Sequence, residues 1–131
     1  MRLVVDASVC LDICLSEAGW ELLGGHQLIA PPLLKSELSS ALRSLDWRRT
    51  VSRELIEGAR RRVEEAPVEL TTPDDHFERA WAVAASLGWA RTYDAEYVAL
   101  AQAWDLPLLT LDERLRRGAA AIVTSIMPAD L

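Results

Sequence analysis

The sequence predicts an α/β fold: a central five-stranded parallel sheet flanked by helices, three layers in all. Short apolar runs alternate with stretches at helical spacing along the whole chain, the pattern of strands joined by helical crossovers. Crossovers of that kind leave successive strands parallel. No linker, repeat or low-complexity stretch divides the 131 residues, a length at which one domain buries roughly two thirds of the unfolded surface. Residues 1–131 are therefore expected to form a single domain.

The first strand is Arg2 to Val5, followed by a helix from about Ser8 to Ser16 and a short one around Ala18 to Leu23. Gly24-Gly25 ends that unit. A strand at Gln27 to Ala30 leads into Pro31-Pro32, which opens a helix to about Leu45, since proline fits a first helical turn. Val51 to Glu65 is the next helix. After Pro67 comes a brief strand, Val68 to Leu70, and then Thr72-Pro73-Asp74-Asp75, a hydroxyl cap, a proline and acids at the positive end of a helix that reaches about Leu87. Asp94 to Trp104 is helical, Pro107 to Leu111 a strand, Glu113 to Arg117 a short helix and Ala120 to Thr124 the last strand.

Composition narrows the function classes. Half of the residues are apolar and about a quarter charged, as in an ordinary soluble domain. No apolar stretch approaches the ~18 residues needed to cross a bilayer, and Asp6 interrupts the first one, so a cytoplasmic protein without membrane attachment is expected. The net charge of -6 opposes nucleic-acid binding through the overall field, and any such binding must be local. Fourteen basic residues comprise one lysine, Lys35, and thirteen arginines. These gather at Arg43, Arg48, Arg49, Arg53, Arg60, Arg61 and Arg62, and again at Arg114, Arg116 and Arg117. Arginine suits bidentate phosphate contact, although helix-face pairing with Glu54, Glu57, Glu64 and Glu65 explains the first group equally well.

Cys10 and Cys14, four apart on a helix, stand too far apart for a disulfide and lack Cys-x-x-Cys spacing, so they read as small core residues. His26 and His76 have no partner spacing for zinc and read as surface or capping residues. Trp20, Trp81, Trp89 and Trp104 read as core or half-buried packing residues. Trp47, beside Arg48-Arg49, suits either stacking on RNA or a protein interface.

Four acids stand out because a core pattern would not place them where they are. Asp6 ends the run Leu3-Val4-Val5, Asp112 follows Leu108-Leu109-Thr110-Leu111, and Asp94 opens a helix. Each is also a natural helix cap or dipole partner. Glu37 is harder to explain: it stands three residues after Leu34, one before Leu38 and four before Ala41, leaning toward the core stripe of its helix. A carboxylate there costs several kcal/mol unless a cation meets it. The helix offers no base on that face, since Lys35 and Arg43 point elsewhere.

Strand carboxyl ends are where parallel α/β sheets hold ligands, and Asp6 and Asp112 both occupy that edge. If the four acids meet there, their repulsion favours a divalent cation, and hard oxygen donors mean Mg²⁺ or Mn²⁺. Such an ion supports hydrolysis of phosphodiesters.

The segments Val4-Val5-Asp6-Ala7-Ser8-Val9, Pro32-Leu33-Leu34-Lys35-Ser36-Glu37-Leu38, Tyr93-Asp94-Ala95-Glu96-Tyr97-Val98-Ala99-Leu100-Ala101 and Pro107 to Leu115 carry a resemblance over nearly the whole length. In order and spacing the chain resembles PIN-domain nucleases, in particular the VapC toxins of bacterial toxin–antitoxin pairs. The resemblance implies a PIN-like fold and a Mg²⁺-dependent endoribonuclease whose metal-binding and catalytic acids are Asp6, Glu37, Asp94 and Asp112, with Mn²⁺ able to substitute. Asp6 and Asp94 would be direct ligands, Glu37 a ligand or a water-positioning base, and Asp112 an outer acid acting through water. Ser8 and Thr110 would orient these carboxylates. It further implies RNA as substrate, a small antitoxin that wraps the nuclease, and a homodimer. Family members often carry Asn three residues after the Glu, where this chain has Ser40.

A phosphate-accepting receiver domain would need a lysine on a late strand, and none is present. A haloacid-dehalogenase-like phosphatase would need Asp two residues after Asp6, where Ser8 stands. The remaining alternative is a PIN-like module that binds RNA or a partner protein without cutting.

Overall fold

The structure, a computed structural model, describes residues 1–131. Its five strands are β1 (Arg2–Val5), β2 (Gln27–Ala30), β3 (Val68–Leu70), β4 (Leu108–Leu109) and β5 (Ser125–Ile126). Six α-helices connect them: α1 (Ala7–Cys14), α2 (Leu33–Arg48), α3 (Arg53–Glu64), α4 (His76–Leu87), α5 (Tyr93–Trp104) and α6 (Glu113–Gly118). The strand order is β3-β2-β1-β4-β5, and every pairing is parallel, with Val4 opposite both Ile29 and Leu108.

The central strands are apolar on both faces because helices cover both faces. Leu3, Val4, Val5, Leu108 and Leu109 are fully buried, and β3, at the edge, is largely exposed. From β1 the chain moves outward on one side through β2 and β3, then returns to lay β4 and β5 on the other. The order therefore reverses between β1 and β4, which opens a crevice at their carboxyl ends.

Several boundaries differ from the sequence expectation, each for a local reason. The helix expected from Thr72 begins at His76, after a turn in which His76 N donates to Pro73 O at 3.1 Å; Asp75 stands at the N-cap with its carboxylate on Arg79 Nε at 2.8 Å. The last strand is Ser125–Ile126, not Ala120 to Thr124. There α6 passes into turns in which Ile122 N and Val123 N donate to Ala119 O, so the backbone first pairs with β4 at Thr124 O, which accepts from Leu108 N. The expected short helix after α1 is a 3₁₀ turn at Gly19–Leu23. Cys10 and Cys14 are buried free thiols, as their spacing implied. Trp20, Trp89 and Trp104 are half-buried against the core, whereas Trp81 is 72 % exposed, contrary to expectation. No helix is long and apolar enough to cross a membrane.

Arg62 fastens α3 to the first crossover. Its Nη1 donates to Cys14 O at 2.9 Å, and its own carbonyl accepts from Trp20 Nε1 at 2.9 Å. Gly19 makes room: its φ is +57°, and a Cβ there would sit 3.3 Å from the Arg62 side chain. Replacing a charged donor leaves Cys14 O without its partner, so Arg62→Ala is expected to lower stability by about 1–3 kcal/mol. Arg61→Ala, at an exposed residue without side-chain partners, should stay within about 0.5 kcal/mol of wild type. Urea unfolding of both variants checks this, and equal losses would refute the role of Arg62.

Candidate metal centre

Asp6 leaves the end of β1 as the N-cap of α1 and is 4 % exposed. Its Oδ1 accepts from Val9 N at 3.1 Å and from Ser8 Oγ at 2.6 Å, and its Oδ2 accepts from Thr110 Oγ1. Both hydroxyls also accept backbone protons: Ser8 Oγ from Leu111 N and Thr110 Oγ1 from Asp112 N, each at 3.0 Å. Their single protons are therefore committed to Asp6, which must accept on both oxygens. Burial pushes its carboxyl above the ordinary range, the donors from Ser8, Thr110 and Val9 pull it back, and the charge of Asp112 adds to the rise.

Asp112, at the end of β4, caps α6: its Oδ1 accepts from Arg114 N at 2.9 Å and Leu115 N at 3.2 Å. The capping role and the candidate ligand role coexist, because one oxygen caps while Oδ2 has no protein partner. Asp94 is the second residue of α5, and it makes neither an ion pair nor a protein hydrogen bond. Although exposed as a residue, it lines the cleft, where loss of water raises its carboxyl, helped by the charges of Asp112 and Asp6 and opposed by Arg114.

Glu37, on α2, is half-buried and accepts from Tyr97 Oη of α5 at 2.5 Å. Burial raises its carboxyl, the Tyr97 bond lowers it, and Asp94, Asp6 and Glu96 raise it further. No base faces it: Lys35 pairs with Glu64 at 3.5 Å and Arg43 with Asp46 at 3.8 Å. Tyr97 is 1 % exposed, and burial beside Glu37 holds its phenol far above its usual range, so it remains a donor. Sequence reading missed Tyr97, although its position three residues after Asp94 puts both on one helical face.

The four acids thus surround one region, three of them lining a cleft of about 610 Å³ with Trp89, Arg91, Tyr93 and Arg114, and the buried Asp6 lying behind. Gly88 shapes the near wall. Its φ of +71° ends α4, and Trp89 then packs so closely on Gly118 that a Cβ there would meet Trp89 Cζ2 at 3.1 Å. Ser40, one turn beyond Glu37 on α2, is exposed. His76 is not at the surface as expected: it is 2 % exposed and hydrogen-bonded through Nε2 to the buried Glu96 at 2.9 Å.

None of the four acids is paired with a cation, and three of them have carboxyls raised chiefly by burial and further by their neighbours' charge. An all-oxygen donor set of this kind fits a hard divalent cation. No three His, Cys, Asp or Glu side chains converge closely enough to hold an ion by direct ligation alone. The fit is therefore to a cation that keeps several waters and takes only one or two carboxylates directly.

Raised carboxyls bind protons more tightly in the folded than in the unfolded chain. Each therefore weakens the fold as pH rises from the ordinary carboxylate range through its folded value, unless a cation is present. Asp94→Asn removes one such charge. In chelator it should melt above wild type at neutral pH, with the gap narrowing as pH falls and closing below about 4, where Asp94 is protonated in the folded and unfolded chain alike. Thermal melts in EDTA across that range measure the gap, and a gap independent of pH would refute the electrostatic reading.

The PIN domain profile matches residues 3–121. A VapC ribonuclease of Mycobacterium bovis is 35 % identical over 133 aligned positions, covering 96 % of this chain and 98 % of that protein. Ribonuclease VapC9 of Mycobacterium tuberculosis matches with the same identity and coverage. Among solved structures, PAE2754 from Pyrobaculum aerophilum superposes with a TM-score of 0.70 at 22 % identity, covering 99 % of this chain and 94 % of that one. VapBC2 from Rickettsia felis, bound to a DNA fragment from its promoter, superposes with a TM-score of 0.67 at 13 % identity, covering 97 % and 98 %. These two likenesses concern the fold.

Proposed function

The chain belongs to the PIN-domain family, in its VapC branch, and on that premise we propose that it is a Mg²⁺-dependent endoribonuclease, the toxin of a toxin–antitoxin pair. The observation that carries this reading is the set of four cation-free carboxylates gathered at the β1–β4 crevice. Asp6 and Asp94 would hold the ion directly and Asp112 through water. When bound, Mg²⁺ would neutralise the attacked phosphodiester and acidify a water.

The chain's own residues set up the rest of the reaction. Ser8, Thr110 and Val9 fix the orientation of Asp6: Oδ1 accepts twice and Oδ2 once, which leaves one lone pair on Oδ2 for an ion. Tyr97 holds Glu37 Oε1 and leaves Oε2 without a protein partner. That oxygen takes a proton from the attacking water. The water oxygen bonds to phosphorus as the bond from phosphorus to the leaving ribose oxygen breaks, that oxygen takes a proton from solvent water, and Glu37 returns its own proton to solvent.

A small antitoxin is the proposed regulatory partner, in keeping with the VapBC description of the Rickettsia felis neighbour. A homodimer is the proposed assembly. Phe77 and Trp81, one turn apart on α4 and 77 % and 72 % exposed, supply an apolar patch suited to such a contact.

Purified wild type should cut RNA with Mg²⁺ or Mn²⁺ and not in EDTA, and Asp6→Asn and Asp94→Asn should lose at least about a hundredfold in rate, as expected when an electrostatic group is removed. Gel analysis of cleavage products measures this, and equal cutting by wild type and both variants would identify a contaminant. Millimolar Mn²⁺ should also raise the Tm of wild type by linkage, and Glu37→Gln should shrink the shift. A wild type whose melting ignores the ion would count against the metal centre.

A further inference from the structure

The acid-lined cleft poses an electrostatic difficulty: its substrate is a polyanion, and the chain as a whole carries a charge of -6. Something local must hold the phosphates. Nine of the thirteen arginines are already engaged. Arg43 and Arg53 pair with Asp46, Arg60 with Glu57, Arg79 with Asp75 and Arg116 with Glu113. Arg48, Arg62 and Arg117 donate to backbone carbonyls, and Arg2 lies over Trp104. The Arg-rich α2–α3 segment is thus largely occupied in holding its own helices.

Four arginines have no partner: Arg49, Arg61, Arg91 and Arg114. Two of these, Arg91 and Arg114, line the cleft that Glu37, Asp94 and Asp112 also line. Both are exposed, and neither lies within ion-pair distance of an acid. Beside them in the same wall stand Tyr93, 55 % exposed, and the half-buried Trp89. Exposed guanidinium groups with an exposed aromatic ring form the combination that grips single-stranded nucleic acid, phosphates on the cations and a base on the ring.

We propose that Arg91, Arg114 and Tyr93 form the substrate-binding wall of the cleft, holding single-stranded RNA next to the scissile phosphodiester. The assignment rests on the nuclease reading of the acids and supplies the substrate contacts which that reading lacks. An unpaired strand is specified because stacking on Tyr93 requires a base released from its partner. The arginines offset the repulsion between the carboxylates and the RNA backbone, and they position the strand without reading its sequence.

The test is fluorescence anisotropy with a fluorescein-labelled single-stranded oligouridine RNA in EDTA, where binding is measured without cleavage, repeated across a salt series. Each phosphate contact contributes about 0.7 to the slope of log K against log salt on a single strand. Arg91→Ala and Arg114→Ala should each lower the slope by about that amount, and the double variant by about 1.4, with affinity down about tenfold or more. Arg91→Lys and Arg114→Lys should keep the slope, separating lost charge from lost fold. Tyr93→Ala should weaken binding at unchanged slope. The double variant Arg49→Ala/Arg61→Ala removes the same charge away from the cleft and should alter neither quantity.

An unchanged slope in the Arg91/Arg114 double variant, or an equal fall in the Arg49/Arg61 control, overturns the proposal. If wild type cuts RNA with Mn²⁺ while the Arg91/Arg114 variants retain the wild-type slope, the nuclease reading stands and this wall falls. If those variants lose the slope but wild type never cuts, the wall stands and the nuclease reading falls. Failure of wild type to bind the RNA at low salt overturns both.

Discussion

The carboxylate of Asp6 is the point on which the geometry of the crevice turns. Buried at the end of the central strand, it would cost several kcal/mol as an isolated anion. Three donors from two elements meet it: Val9 and Ser8 from α1, and Thr110 from the end of β4. The same two hydroxyls receive the amides of Leu111 and Asp112, so the network joins the ends of β1 and β4 where the strand order reverses. Charge-assisted bonds of this kind contribute about 1.5–3 kcal/mol each, enough to hold the anion in place. They do not neutralise it, and with Glu37, Asp94 and Asp112 nearby the crevice retains a strong demand for positive charge.

Glu37 extends the same principle across the core. Its helix is buried through Leu34, Leu38 and Leu42 and packs beside α1 and α3, with the carboxyl reaching Tyr97 of α5. Tyr97 satisfies one oxygen from a phenol kept protonated by burial. Polar groups inside the fold thus aim carboxylates outward, and the apolar layers fix the helices that carry them. Cation supply is divided in a matching way: most arginines brace helix faces, and the cleft keeps two for itself.

Much of the fold was legible locally. β1, β2 and β3 fall at the residues the apolar runs indicated, and α5 begins one residue from the expected position. Errors arose where one signal served two ends. Ala120 to Thr124 is apolar enough for a strand, yet its backbone closes turns onto α6 as far as Val123, and pairing with β4 starts only where Thr124 O accepts from Leu108 N. Asp75, expected inside the first turn, stands at the N-cap of α4, with its carboxylate on Arg79. His76, a polar residue near a helix start, lies inside against Glu96, and Trp81, a large apolar residue, lies outside.

The sequence by itself determined which acids could not be ordinary core residues, which hydroxyls stood beside them, and that parallel strands would carry two of the acids at their ends. These are properties of spacing along one strand or one helix, where period and neighbours suffice. Only the tertiary structure decided the order β3-β2-β1-β4-β5, and with it the convergence of residues far apart in the chain. Thr110 reaches Asp6 across 104 positions and Tyr97 reaches Glu37 across 60. Arg91 and Arg114 share a wall for the same reason. Such contacts depend on how helices pack over a sheet, a long-range outcome of core burial that no local period encodes.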